Sequence, residues 1–408
     1  MNFDLTEERQ MLQDSLRRFL RDKYDTAARN KILESDTGFS ADIWNGLAEL
    51  GVIGALFTED QGGFGGAGFD IAVVFEELGR AGVVEPFLDT AILGGGLIAD
   101  LGNDDQQAHV EELIGGALQV AFAHGEPTSR YDLNQVTSTA KVDGDNVVLN
   151  GRKAVVVNAE NADMLIVSAR ESGEAGDENG ISLFLVPADT KGITLQGYAL
   201  LAGGRAAEVT LDDVTVPASA RLGEAGKAFK AIEARVAAAN VAICAETLGA
   251  METATRLTRE YLMTRKQFGK PISSHQMVQQ MLADMAMKTE AARCLVHSVA
   301  SMVDNGRAKE AGKKAAMAKC FATDVAMEVA TDAVQVFGGY GFMEDYPIAK
   351  FFRDAKILQI YEGTNQVQRM VIARHLVREC AELEHLAEFI PVEEQESYHE
   401  EAETTQEV

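Results

Sequence analysis

The amino-acid sequence predicts a multidomain α+β protein with three regions in the order all-α, all-β, all-α. Apolar residues recur at helical spacing in the first and last parts of the chain, and they alternate at strand spacing between them. A length of 408 residues fits this order, because domains of about 150 residues would give two or three of them. We expect an N-terminal helical domain over 1–116, a middle antiparallel β domain over 117–224 and a C-terminal four-helix bundle over 225–385.

The N-terminal region carries several helix-start signals. Asp4 and Glu7 have the spacing of a capping box ahead of an apolar stripe. Ser40 is placed to cap a second helix, which Gly51 would end. Apolar spacing predicts the remaining helices over 70–79 and 86–114.

Turn dipeptides and alternating residues predict a sheet in the middle region. Asp143-Gly144 and Asn150-Gly151 are typical of two-residue hairpin turns. The predicted strands include residues 146–149, 153–158, 164–168, 181–186 and 207–211. Because no helical pattern is interleaved, we expect an antiparallel sheet or barrel.

Four long helical patterns follow the sheet, and the short links between them are typical of an antiparallel bundle. They cover residues 226–265, 274–304, 308–337 and 348–380. Residues 381–408 then contain ten Glu and no Asp, Lys or Arg. We therefore expect residues 386–408 to form an acidic, disordered tail.

The composition excludes several classes of function. A net charge of −26 argues against nucleic acid or an anionic membrane surface as a partner, because both attract basic faces. No apolar run reaches the roughly 18 residues of a membrane span, and the polar start does not resemble a signal peptide. The four cysteines lack C-x-x-C spacing, and the histidines show no metal-ligand spacing. We expect a cytoplasmic protein without a metal.

One glycine-rich segment, Gly63–Gly68, has the G-x-G-x-x-G spacing of a dinucleotide-binding turn. An apolar run, Val52–Phe57, precedes it, and Glu85 follows at the required distance. However, Thr58–Gly62 separate the apolar run from the glycines, and no further strand–helix units follow. We favour a turn between two helices, with a nicotinamide-dependent dehydrogenase as a distant alternative.

The segment Tyr361–Arg369 places a carboxylate before a helix. Asn365 and Gln368 are spaced like an N-cap and its reciprocal partner, so Glu362 would lie near free amides that attract anions. Gly363 would let a flat ligand approach the backbone closely. Two interpretations are open on this pattern. Glu362 either decorates a turn or acts as a base, if burial raises its pKa from about 4.3 toward neutrality.

Two further segments, Arg265–Pro271 and Gln335–Gly341, close predicted helices with glycine. Cations and glycines at helix C-termini are expected from capping alone. The functional alternative has Arg265 on a phosphate, Phe268 against an aromatic ring and the second segment beside a phosphate-bearing cofactor.

Taken together, these segments resemble the acyl-CoA dehydrogenase family over about residues 1–380. The motifs are R-x-Q-F-G at Arg265–Gly269 with Gln276, Q-V-F-G-G-Y-G at Gln335–Gly341, and R-D-A-K-I-L-Q-I-Y-E-G-T at Arg353–Thr364. They stand in the family's order, and the α–β–α succession is the family's architecture.

The resemblance implies an oxidoreductase that uses FAD to convert an acyl-CoA thioester to the trans-2-enoyl-CoA in fatty-acid metabolism such as β-oxidation. Glu362 falls at the catalytic base, which would remove the α-proton while the β-hydride passes to flavin N5. The Glu362 N–H and a ribityl hydroxyl of the flavin would hold the thioester carbonyl and so stabilise the developing enolate. An electron-transfer flavoprotein would reoxidise the cofactor.

The resemblance also implies binding residues. Gly363 and Arg235 would face the substrate, although the Asp that the family has three residues before this Arg is Ile232 here. Thr364 and Gln366 would contact the dinucleotide after the base. The residues implied for the FAD of a neighbouring subunit are Arg265, Phe268, Gln276, Gln335, Val336, Phe337, Gly338 and Gly339.

The middle region departs from the family pattern at two places. The usual T-E-P-x-x-G-S-D run is Gly125–Asp132 here, without its Gly-Ser pair, and the usual W-I-T is Val155–Val157. Members built from two paralogous chains show such losses, and the chain resembles small subunits of bacterial pimeloyl-type or sterol side-chain-type dehydrogenases. We therefore expect a homotetramer, or an α2β2 heterotetramer whose paralogous partner completes the flavin site.

Three functions stay open on the sequence. An intact Glu362 favours a catalytic dehydrogenase. Val155–Val157 favour a non-catalytic or half-site subunit of a heteromeric enzyme. A flavin oxidase or monooxygenase would keep the fold, but such enzymes tend to lack the Glu.

Overall fold

A computed structural model describes residues 3–129, 132–307, 310–361 and 363–381. The described chain has the predicted order of helical domain, β domain and helical bundle. Glu362 and the predicted acidic tail at 386–408 lie outside the described residues.

The N-terminal domain is built of short helices. They are α1 (Glu7–Lys23), α2 (Thr26–Leu33), α3 (Ala41–Glu49), α4 (Gly68–Ala81), α5 (Gly96–Leu101) and α6 (Asp104–Ile114), with a π-helical segment at Phe87–Gly95. Ser40 caps α3 as predicted, because its hydroxyl accepts from the Ile43 N–H. The capping box at Asp4 is wrong, since α1 begins one residue after Thr6, whose hydroxyl accepts from the Arg9 N–H.

The glycine-rich segment is a tight turn that leads into α4. The preceding Val52–Phe57 forms turns and a 3₁₀ segment rather than a strand. A Cβ on Gly63 would lie 2.3 Å from the Phe57 carbonyl oxygen, and one on Gly65 would lie 2.3 Å from that of Ala55. The glycines therefore allow two backbone stretches to pack together, which confirms the turn interpretation.

The middle domain is one mixed sheet. Its strands are β1 (Val120–Ala123), β2 (Thr139–Asp143), β3 (Asn146–Val157), β4 (Met164–Arg170), β5 (Ile181–Pro187), β6 (Ile193–Ala199), β7 (Arg205–Pro217) and β8 (Arg221–Leu222). They run in the order β6-β7-β3-β2-β4-β5-β8, with β1 beside β4. Most pairs are antiparallel, but β4 pairs in parallel with β1 and, at one residue pair, with β2.

Only one of the two predicted hairpin turns exists. The chain turns from β2 to β3 through Gly144-Asp145, one residue later than the predicted Asp143-Gly144, because Asp143 ends β2 and pairs with Asn146. Asn150-Gly151 lies inside β3 at a register shift, so the turn prediction there is wrong. A Cβ on Gly151 would lie 2.2 Å from the Ser138 hydroxyl oxygen, so the glycine permits a close approach between neighbouring segments.

The C-terminal domain is a bundle of long helices. Its elements are α7 (Phe229–Thr264), β9 (Lys266–Gln267), β10 (Lys270–Pro271), α8 (Gln276–Asp304), α9 (Gly312–Phe337), α10 (Ile348–Leu358) and α11 (Asn365–Ala381). The single helix predicted over 348–380 is wrong, because the chain leaves the helix after Leu358 and re-enters it at Asn365. Gly363 has φ 91° in this break, a conformation that favours glycine.

Helices α4 and α7 cross at unusually short distance. A Cβ on Gly79 of α4 would lie 2.0 Å from the Glu246 carbonyl oxygen, and one on Gly249 of α7 would lie 1.8 Å from that of Glu76. Each helix thus presents a glycine to the backbone of the other. This contact fixes the helical side of the cavity described below.

The described residues contain neither a candidate membrane span nor a candidate metal site. None of their helices is long and apolar enough to cross a membrane. Among the residues that the structure describes, no group of three or more His, Cys, Asp or Glu is arranged to hold a metal ion.

Candidate active site

A cavity of about 1130 Å³ lies where the three domains meet. Tyr361 and Gly363, the two neighbours of Glu362, line it. Much of the wall is apolar and comes from Phe75, Leu78, Phe87, Leu88, Leu93, Phe122, Val155, Val157 and Val236. The turn that carries Glu362 therefore borders a large and mainly apolar space.

A buried lysine holds this turn in place. Lys319 of α9 has no exposed surface, and its Nζ donates to the Gly363 carbonyl oxygen at 2.7 Å and to Asn365 Oδ1 at 3.2 Å. The backbone that follows Glu362 is thus bonded to the neighbouring helix. Hydrogen bonds from a charged donor are stronger than neutral ones, so the turn is firmly fixed.

The Asn365 side-chain amide also connects this turn to α9. Its Nδ2 donates to Asp324 Oδ1 at 2.7 Å, and Thr323 Oγ1 donates to its Oδ1 at 3.1 Å. Burial would raise the pKa of Asp324, but hydrogen bonds from Asn365, Arg369 and other donors lower it. Asn365 is therefore a bridge to α9 and not the predicted N-cap.

Thr364 is the residue that caps α11. Its Oγ1 accepts from the Val367 N–H at 3.3 Å. The prediction for Asn365 is wrong because that residue already lies in the helix, where its side chain turns toward α9 instead of back along its own backbone.

The β-domain side of the cavity rests on a second buried lysine. Lys153 Nζ donates to Glu126 Oε1 at 2.7 Å and to Ser168 Oγ at 3.0 Å, and both members of the ion pair are almost fully buried. Glu126 also accepts from the N–H groups of Thr137 and Ser138. The pair ties the loop after β1 to β3.

Burial and this pairing shift the local pKa values. Burial lowers the pKa of Lys153, although Glu126 opposes the effect. Burial would raise the pKa of Glu126, but the charge of Lys153 and several hydrogen bonds lower it. His124, stacked on Phe122 with 5.2 Å between ring centroids, has its pKa lowered to about 3 by burial and by Lys153. His124 is therefore a neutral polar side chain of the cavity wall.

Val155 occupies a strained position on the same wall. It has φ 54°, which is rare for a β-branched residue, and its side chain is 52% exposed. Its N–H donates to Glu208 Oε1 at 3.3 Å, and Tyr198 donates to the same oxygen. The sheet thus presents an apolar side chain to open space at the position where the family has an aromatic ring.

The residues predicted for a neighbouring cofactor form a separate cluster. The Arg265 guanidinium lies 5.6 Å from the centre of the Tyr340 ring, and Phe337 stacks on Tyr261 with 4.2 Å between centroids. Phe268 is 92% exposed at the tip of the β9–β10 hairpin. Gln276, Gln335, Gly338 and Gly339 are also exposed. None of the predicted residues from Arg265 to Gln276 or from Gln335 to Gly339 lines the cavity.

Of the remaining predicted binding residues, only some line the cavity. Gly363 lines the cavity, whereas Thr364 acts as a helix cap and Gln366 is exposed on α11. Arg235 is not among the cavity-lining residues, because its guanidinium makes a bidentate contact with Asp100, with Nε to Oδ2 at 2.7 Å.

The sequence did not predict Lys319 and Lys153, the two buried lysines that fix the cavity walls. Lys319 stands in the apolar run Ala315–Phe321, and a single lysine there was an available signal, since lysine is seldom fully buried without partners. Lys153 follows the exposed Arg152 in β3 and gives no such signal. The sequence does not show which partner each lysine has.

Comparison with known proteins assigns the class of this fold. Family models match residues 6–114, 121–214 and 226–377, and they describe the N-terminal, middle and C-terminal domains of acyl-CoA dehydrogenases. Probable acyl-CoA dehydrogenase YngJ of Bacillus subtilis is 35% identical over 384 residues, which is 93% of this chain and 100% of that protein. The chain belongs to the acyl-CoA dehydrogenase family.

Solved structures have the same architecture. Butyryl-CoA dehydrogenase from Megasphaera elsdenii matches with a TM-score of 0.85 and 35% identity, over 92% of this chain and 100% of that one. A chain from the electron transferring flavoprotein structure of Acidaminococcus fermentans matches with a TM-score of 0.85 and 35% identity, over 93% and 100%. The predicted fold class and enzyme class are thereby confirmed.

FAD is the cofactor of this family, and solved structures with this fold include an FAD complex. The cavity suits the ring end of such a cofactor, because it is large enough and Phe122, Val155 and Val157 give it an apolar wall. The exposed face of Val155 is the kind of surface that a planar ring would cover.

Proposed function

We propose that the chain dehydrogenates an acyl-CoA thioester to the trans-2-enoyl-CoA, with Glu362 as the base that takes the α-proton. The supporting observation is the anchored turn, in which Lys319 and Asn365 fix the backbone next to Glu362 at the edge of the cavity. A general base needs such positioning, because its contribution depends on reach to the proton.

Bound FAD supplies the hydride acceptor for this reaction. The chain itself positions the thioester, and the N–H of Glu362 is proposed to donate to the carbonyl oxygen and so stabilise the developing enolate. Apolar side chains on the cavity wall would favour the neutral form of the base after it has taken the proton. Gly363 lines the cavity beside the proposed base.

An electron-transfer flavoprotein is the proposed acceptor of the electrons. The likeness to a chain from the electron transferring flavoprotein structure of Acidaminococcus fermentans supports this partner. We place the reaction in cytoplasmic fatty-acid metabolism such as β-oxidation, on the sequence argument given above.

A second chain is proposed to complete the cofactor site. The exposed cluster that contains Arg265, Phe268 and Gln276 does not reach the cavity of its own chain. Two chains could bring one chain's cluster to the other chain's cavity. This arrangement suits a homotetramer or an α2β2 heterotetramer, and the loss of the Gly-Ser pair and of W-I-T favours the heteromer.

Substitution of Glu362 by Gln tests the proposal in the assembled, FAD-containing protein. We expect the variant to keep FAD and bind octanoyl-CoA while turnover falls by roughly 10²–10⁴-fold. Bleaching of the flavin absorbance under anaerobic conditions measures the reaction. An exposed glutamate variant, Glu49→Gln on α3, is the matched control and should react normally. A wild-type holoprotein that no acyl-CoA bleaches would contradict the proposal.

A half-site subunit is the second candidate, favoured by the strained and exposed Val155 at the cavity wall. If this candidate is correct, the chain purified alone will be colourless and will gain FAD when a paralogous chain is added. A yellow chain that bleaches by itself with octanoyl-CoA would exclude it.

A further inference from the structure

One part of the cavity wall is polar and deeply buried. It comprises Arg29 of α2, Glu85 before the π-helical segment, Glu246 of α7 and Asp354 of α10, here called the polar recess. Arg29 and Glu85 are only 1% and 5% exposed. Asn240, which also lines the cavity from α7, is 8% exposed.

Several polar atoms of this wall have no partner. Among the described residues, no hydrogen bond reaches either carboxyl oxygen of Glu85, Nη1 of Arg29 or Oδ1 of Asn240. The Tyr24 hydroxyl and the N–H groups of Ser40 and Val84 lie near Glu85, but none of them makes a hydrogen bond of normal geometry with its carboxyl oxygens. The Tyr24 hydroxyl instead accepts from the Val84 N–H. Buried polar atoms are nearly always paired, so unpaired ones that face a cavity indicate a polar ligand.

The charges of the recess define which polar ligand it would accept. Arg29 is already neutralised, since its Nη2 donates to Asp354 Oδ2 at 2.8 Å, and its Nε and Nη2 also donate to backbone carbonyls. Burial raises the pKa of Glu85, and it raises that of Glu246 to about 7, helped by Asp354 and Asp89. A carboxylate in the recess would adjoin the carboxyl groups of Glu85, Glu246 and Asp354, whereas Arg29 is already paired with Asp354, so a neutral polar group fits the recess better.

We propose that the polar recess binds a hydroxyl group on the acyl chain, so that the preferred substrates are hydroxyacyl-CoA thioesters rather than plain alkyl thioesters. A hydroxyl both donates and accepts, which suits the unpaired carboxyl of Glu85 and the unpaired amide oxygen of Asn240. An alkyl end would displace water from these atoms and leave them unpaired. This inference rests on the proposed function.

The placement of the recess fits an acyl group. The recess shares one cavity with Tyr361 and Gly363, and apolar residues such as Phe87 and Leu88 also line that cavity. An acyl chain that carries one hydroxyl group would offer apolar carbons to the apolar part of the wall and a polar group to the recess. Sites built to hydrogen-bond a substrate hydroxyl discriminate strongly against analogues that lack it.

Binding measurements on the assembled Glu362→Gln holoprotein test the proposal without turnover. The probes are octanoyl-CoA and its 4-, 5-, 6-, 7- and 8-hydroxy derivatives, titrated by calorimetry. We expect at least one hydroxylated probe to bind tenfold or more tightly than octanoyl-CoA. Octanoyl-CoA binding as tightly as all five would overturn the proposal, because the recess would then hold water only.

Variants identify the residue responsible. Glu85→Leu removes the unpaired oxygens and should reduce the preference for the hydroxylated probe to less than threefold. Glu85→Gln keeps a donor and an acceptor and should retain the preference. Should Glu85→Leu not fold, the binding of the probes to the proteins with Glu or Gln at position 85 still shows whether a hydroxyl group is preferred. An unchanged preference in Glu85→Leu would overturn the role of this recess.

The two proposals fail in different ways. If octanoyl-CoA bleaches the wild-type flavin but no hydroxyl group improves binding, only the recess proposal is overturned. If no acyl-CoA of either kind binds the holoprotein or reduces its flavin, the proposed function and the recess proposal are both overturned.

Discussion

The β-domain wall and the helical wall of the cavity each depend on a lysine with no exposed surface, but the two lysines are used differently. Lys153 forms an ion pair with Glu126, so that each charge requires the other. Lys319 donates to the Gly363 carbonyl and to the Asn365 side chain, so that its charge holds backbone beside the proposed base. The first contact connects two segments of one wall, and the second would position the proposed base.

The largest effect is expected at the ion pair. Lys153→Met would leave the Glu126 carboxylate buried without its cation, and we expect the free energy of unfolding to fall by about 3–5 kcal/mol. Urea unfolding of the assembled protein measures this loss. The double variant Lys153→Met with Glu126→Gln removes both charges and should recover most of it. An equal loss in the double variant would show that packing, and not charge pairing, matters here.

The helical wall should respond in turnover as well as in stability. Lys319→Met removes the donor to the Gly363 carbonyl, which we expect to cost about 2 kcal/mol of unfolding free energy. Because the turn next to Glu362 would shift, kcat should fall roughly 10- to 100-fold while FAD stays bound. Lys313→Met on the same helix, where the lysine pairs with Glu379 at the surface, is the control and should alter neither quantity much. Normal kcat in Lys319→Met would refute the positioning role.

The pH dependence of stability tests another feature of the helical wall, the raised pKa of Glu246. Glu246 has a folded-state pKa of about 7, above its ordinary value of 4.5, so the folded protein holds this proton more tightly than the unfolded chain does. The wild type should therefore lose stability as pH rises from 4.5 to about 7 and then level off. Glu246→Gln cannot ionise, and its unfolding free energy should exceed that of the wild type above neutrality by up to about 3 kcal/mol. Parallel pH profiles for the two proteins would be evidence against the raised pKa.

The smallest effect concerns strain in the β-domain wall. Val155→Gly should raise the free energy of unfolding by about 0.5–1 kcal/mol, because relief of the positive φ outweighs the added flexibility of the unfolded chain. Val155→Ala keeps a Cβ and should give no such gain. A loss of stability with glycine would mean that the half-exposed side chain makes contacts worth more than the strain.

The sequence predicted those features that depend on local spacing. The helical and strand periods gave the order of the domains, the Ser40 cap was correct, and the β2–β3 turn lies one residue from its predicted position. Asn150-Gly151 failed because the same dipeptide also fits a strand that passes close to Ser138, and the position of that segment is not local information.

The candidate site divides in the same way. The motif residues near Glu362 were placed correctly at a helix start. Asn365, however, was predicted to cap that helix, whereas its side chain bonds across to α9. The partners of Lys153 and Lys319 come from segments about 27 and 44 residues away in sequence, and only the fold brings them together. Arg235 illustrates the converse, because a plausible motif position faces Asp100 instead of the cavity.

The glycine crossing of α4 and α7 bears on how new specificities can arise. Gly79 and Gly249 sit so close to the opposing backbones that any larger residue would force the helices apart. Side chains beyond this crossing, such as those of the recess, can therefore be replaced to change the chemistry of the cavity while the separation of α4 and α7 stays fixed.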